Sequence, residues 1–200
     1  MAEPSEILKI MEQIVQLNSQ AKLSEHLASP SEAALSNLSE LNCVRLSPHF
    51  SLGEFTKSGS HPEVYNIPSH EAIANLKRLC GWLEELRKRA GTPIRINSGY
   101  RSPQLNRKIG GAATSNHHTG CAADIKVSGI EQALRSAVIL VDYSDESKQE
   151  FDELLIEKNR YGAIWVHFAG ALSSLALTRG TPVFLLGESH GQRSLVGCGP

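Results

Sequence analysis

A histidine and an aspartate stand seven positions apart in Ser115-Asn116-His117-His118-Thr119-Gly120-Cys121-Ala122-Ala123-Asp124, with mostly small residues between them. Further along, Trp165-Val166-His167-Phe168 sets another histidine inside an apolar run. Two imidazoles and one carboxylate are the donor set of a catalytic zinc, three protein ligands with a fourth position left for water. The same set serves iron(II) oxygenases, but no wider oxygenase pattern accompanies it here. His118 competes with His117 on residue type alone. Cys121 lies three residues before Asp124, an offset that on a strand turns the two side chains to opposite faces, so it is not expected to share the site.

The donors need elements to hold them. Ala122 to Val127 alternates as a strand, with Ala123, Ile125 and Val127 on one face and Asp124 on the other, toward an open side. Ala163 to Ala169 alternates likewise, with Ile164, Val166 and Phe168 opposite Trp165, His167 and Ala169. Each strand therefore presents one donor on the face away from its aliphatic residues. Thr92 to Ser98 reads as a strand running into the tight turn Gly99-Tyr100-Arg101-Ser102-Pro103, and Phe151 to Lys158 as another. A helix should open after Pro68 with Ser69 as N-cap and stop at Gly91 behind Arg87-Lys88-Arg89. Residues 129–141 form a second helix, followed by a charged connection over 142–150. Residues 105–109 form a turn or two of helix, and a short helix follows Leu46-Ser47-Pro48, with His49 at the surface or capping. Residues 5–28 have the helical period, and residues 181–186 resemble an edge strand.

The chain has 200 residues, 40% hydrophobic and 20% charged, with a formal net charge of -1. That is globular composition, with no field to recruit nucleic acid or an anionic membrane. No apolar run approaches the roughly 18 residues of a membrane span. Four scattered cysteines without CxxC spacing read as reduced thiols. The opening Met-Ala-Glu-Pro-Ser-Glu is acidic where a secretory signal is basic, so the expected origin is cytoplasmic, with any action on a cell wall following release. The expected organisation is an N-terminal helical extension over 1–44, a domain over 45–170 and an undefined tail over 171–200. The oligomeric state is not legible.

Three pieces in order, Ser98-Gly99-Tyr100-Arg101-Ser102, Ser115-x-His117-x-x-Gly120-x-Ala122-x-Asp124 and Trp165-Val166-His167, resemble the D-alanyl-D-alanine carboxypeptidase family of zinc peptidases, family M15, which includes phage endolysins. Leu46-Ser47-Pro48-His49-Phe50 is similar to the opening of one branch, so the resemblance covers about residues 46–169. It implies a small α+β fold, an antiparallel sheet with helices on one side. It implies Zn2+ held by His117, Asp124 and His167, with His118 a neighbour. Arg101 matches an arginine that faces substrate near the metal, and Ser115 a serine that hydrogen-bonds beside it. The implied activity is hydrolysis of peptide bonds in peptidoglycan stem peptides, as a carboxypeptidase or an endopeptidase. Zinc so held brings the pKa of water toward about 7, and an acid must then pass a proton to the leaving amine.

One departure bears on that acid. Many members have a glutamate three residues before the last histidine, where this chain has Ile164. The preceding strand offers Phe151-Asp152-Glu153-Leu154-Leu155-Ile156-Glu157, in which Glu153 replaces a family glutamine and Glu157 keeps an acid. Glu157 is the expected base and Asp152 the next candidate. Ile164 also leaves room for a second class of function, a binding or structural module of the same fold that keeps zinc without catalysis.

Overall fold

A long helix and a sheet built against it fix the positions of the other described elements. The computed structural model describes residues 43–171 and 187–188, so the helix expected over 5–28 and the strand expected over 181–186 lie outside the described residues. Helix α1, Leu52–Thr56, follows a capping box in which Ser51 and Glu54 satisfy each other's orphan groups. Helix α2, His70–Ala90, begins and ends where its sequence signals lie. The Ser69 hydroxyl accepts from the Ala72 amide, and Gly91 closes the helix in the left-handed region. Glu84 on α2 accepts bonds from the Ser47 hydroxyl and from the His49 amide and Nδ1. His49 is thus a half-exposed strut of the entry turn.

Strand β1 is Ile96–Ser98, shorter than the expected Thr92–Ser98, although the Arg95 carbonyl still accepts from the Lys126 amide at 2.9 Å. Helix α3 spans Pro103–Lys108. A 3-10 turn, Asn116–Thr119, leads into β2, Ala122–Lys126. Helix α4, Ile130–Ser147, runs six residues beyond the expected end at 141. Its acidic last turns are held from outside: Glu146 pairs with Arg89 at 2.7 Å, and Tyr143 stacks edge-on to Trp82 with centroids 5.0 Å apart. Strands β3, Phe151–Lys158, and β4, Ile164–Gly170, complete the body, and β5 is the two residues Gly187–Glu188.

The sheet order is β1-β2-β4-β3-β5, antiparallel throughout except that β5 lies parallel to β3. The register sets Ala123 and Leu154 against Phe168, and Ile125 and Ile156 against Val166. These six make the inner face, all buried, and Trp82 of α2 meets Phe168 and Phe151 there at 5.1 and 6.1 Å. Both long helices cover that face, so the fold is α+β with helices on one side. The other face presents Asp124, His167, Trp165, Glu153 and Glu157. Among the described residues no helix is long and apolar enough to cross a membrane.

Candidate metal centre

His117 is delivered by a turn whose every end is tied. Ser115 caps it, its hydroxyl accepting from the His117 amide at 3.4 Å. Gly120 closes it with φ +75, and a Cβ there would stand 2.4 Å from the Ala72 carbonyl oxygen of α2. Asn75 of α2 donates to the Thr119 carbonyl at 2.7 Å. A second loop is laced to the same turn. His117 Nδ1 donates to the Gly99 carbonyl at 2.6 Å, the Arg101 amide donates to the His117 carbonyl at 3.1 Å, and His118 Nδ1 donates to the Arg101 carbonyl at 3.0 Å. His118 therefore holds the Arg101 loop. Buried Asn66 holds that loop from behind: its amide donates to the Tyr100 and Thr56 carbonyls, and its oxygen accepts from the Ser102 amide.

Asp124 and His167 are directly opposed across β2 and β4. Asp124 Oδ1 lies 3.3 Å from His117 Nε2 and 2.8 Å from His167 Nδ1, and the two rings are 5.1 Å apart. One donor atom from each of the three falls within 4.8 Å of the others. The expected open side is in fact covered: the three are 2%, 8% and 5% exposed, because the 116–119 turn and Arg101 fold over Asp124. The donor set fits a metal ion. With His117 Nδ1–H committed to Gly99, its Nε2 lone pair faces the cluster, and His167 Nδ1 faces it likewise.

Burial works against the Asp124 carboxylate, yet the imidazoles of His117 and His167 hold its pKa well below the ordinary carboxylate range. Burial pushes His117 down, against the pull of Asp124, so this ring is neutral. Burial also opposes charge on His167, but its hydrogen bonds to Asp124 and Glu153 win and raise it to about 9.

The remaining expected residues are near, with different partners. Arg101 stands beside the cluster, but its Nη2 donates to Asp124 Oδ2 at 2.6 Å and its Nε to the Ser98 hydroxyl at 2.9 Å. Glu157 lies on the site face opposite Trp165 and accepts the indole N–H at 2.7 Å. Asp152 sits at the irregularity before Glu153, where burial and the Glu153 charge raise its pKa. The acid that touches the cluster is Glu153, whose Oε2 is 3.1 Å from His167 Nε2 and 3.3 Å from the Asn116 amide nitrogen. The period of two puts 153, 155 and 157 on one face; the register sets Leu155 directly opposite His167, and it is the diagonal neighbour Glu153 whose carboxylate reaches the ring.

The family profile described as Peptidase M15 matches residues 48–153, just over half of the 200 residues. No curated protein matches the chain. The matched span includes His117 and Asp124 and stops short of His167, which the β2–β4 register brings to them. By that match the chain belongs to the M15 peptidase family.

Proposed function

We propose that the protein is a zinc peptidase acting on the stem peptides of bacterial peptidoglycan. The observation that supports this most is the convergence of His117 Nε2, Asp124 Oδ1 and His167 Nδ1 in a chain of this family. A zinc ion held by those three would lower the pKa of water and polarise a peptide carbonyl. Arg101, fixed on one edge by Asp124 and Ser98, keeps its remaining N–H donors for a substrate carboxylate or carbonyl oxygen. The Ser115 hydroxyl, bound to the His117 amide, retains a proton to donate to a peptide group. Glu157 is the proton-transferring acid: its charge reaches His167, and Trp165 fixes its carboxylate on the site face.

Ile164, where many relatives place their acid, favours a second reading, a zinc-retaining binding module. One comparison separates the two. Metal content is measured on the purified protein, and free amines are counted after incubation with purified peptidoglycan. The enzyme should hold about one equivalent of zinc and release amines, and Glu157→Gln should keep the zinc and lose at least about 100-fold in turnover. Zinc without amine release would favour the module. Absence of stoichiometric metal would sink both.

A further inference from the structure

Resting on the metal-centre reading above, we propose that Glu153 is a positioning residue for His167, and that an Asn116–Glu153–His167 relay sets which imidazole nitrogen meets the metal. A histidine has two ring nitrogens, and a metal can use either. Here the ring is held from both sides: Nδ1 faces Asp124 Oδ1 at 2.8 Å, and Nε2 lies 3.1 Å from Glu153 Oε2. A carboxylate only accepts, and each nitrogen faces one, so without metal the ring carries a hydrogen at both; a metal would take the place of the Nδ1 hydrogen beside Asp124, while Glu153 holds the hydrogen on Nε2. The same Glu153 oxygen accepts from the Asn116 side chain at 3.3 Å. Asn116 opens the turn that carries His117, so the relay ties the third donor to the first through side chains.

The geometry also separates the roles of the two acids on this face. Glu153 is bonded to the nitrogen that points away from Asp124. It acts through the imidazole, and Glu157 is left for proton transfer. A carboxylate on the far nitrogen of a ligating histidine fixes the ring and raises its basicity, and losing such a partner typically costs 10–100-fold in metal affinity.

The test uses the full chain and two variants, Glu153→Ala and Glu153→Gln, with melting curves to check folding. Zinc affinity is read by competition with a chelator, cobalt(II) uptake by its visible absorption, and the His167 tautomer in zinc-loaded protein by nitrogen NMR. Glu153→Ala should weaken zinc 10–100-fold, alter the cobalt spectrum and lose the single Nε2–H tautomer. Glu153→Gln, whose amide oxygen still accepts, should recover most of all three. Under saturating zinc, Glu153→Ala should turn over far better than Glu157→Gln. Wild-type affinity and an unchanged tautomer in Glu153→Ala would overturn the relay while leaving the metal centre intact. A wild type that takes up neither ion would overturn the centre and the relay with it.

Discussion

At the scale of single residues, the cluster separates into a permanent anion, a neutral ring and a ring that must lose a proton. Asp124 is ionised well below neutrality and His117 is neutral, so neither changes state between pH 6.5 and 9. His167, raised to about 9, is protonated at pH 7 when no metal is bound. A ligating imidazole must be neutral, so metal binding expels that proton. The sign follows: zinc affinity should rise about tenfold per pH unit up to about pH 9 and then level off. Calorimetry at pH 7.5 in two buffers of different ionisation enthalpy should show about one proton released per metal. A pH-independent affinity would contradict the charge assignment to His167.

At the scale of elements, the loops matter more than the strands they join. The two strands that carry Asp124 and His167 were legible, because each segment alternates and each has its polar residue on the face away from its aliphatic ones; their pairing, which sets the two donors opposite each other, was not. Helix α2 was legible from Ser69, Gly91 and the basic last turn. The lacing of 99–101 to 116–118 was not, because it consists of bonds to backbone carbonyls, which residue types do not advertise. Asn66 is the clearest case, an amide in an unremarkable stretch that satisfies Thr56, Tyr100 and Ser102 at once. Replacing it with alanine strands these buried groups and should cost about 2–3 kcal/mol. Loosening of the Arg101 loop should raise KM more than it lowers kcat in a peptidoglycan assay. Gly120 presents the opposite problem, since its place in the motif hides a steric reason. With φ +75 and the Ala72 carbonyl 2.4 Å from a would-be Cβ, Gly120→Ala should destabilise by about 2 kcal/mol or more. It should also weaken metal binding by moving His117. Equal melting temperatures for Gly120→Ala and wild type would refute the close approach of the turn to α2. Glu153 escaped for a related reason: its strand pairs it with Ala169, and only the reach of its side chain across the sheet sets its carboxylate on His167.

At the scale of the molecule, the inner face of the sheet is closed by Trp82, Phe151 and Phe168, while the outer face holds two charges in a nearly dry cluster. Without metal, that cluster depends on the His167–Asp124 and His167–Glu153 contacts. His167 is raised from 6.5 to about 9 on folding. The stabilisation its proton provides is therefore complete below pH 6.5 and lost as pH climbs through about 9. Metal acts in the reverse direction, because ions that bind only the folded chain stabilise it by RT ln(1 + [L]/Kd), about 2.7 kcal/mol at a hundredfold excess over Kd, and Kd falls as His167 deprotonates. Chelation should thus lower the melting temperature at every pH in this range, and the gap between loaded and stripped protein should widen steadily from pH 6.5 to 9. Scanning calorimetry on the two forms measures that gap. A gap that stays constant or narrows over the window would mean that the proton on His167 and the metal do not compete for the same nitrogen, and that the cluster is held together by something other than the three converging donors.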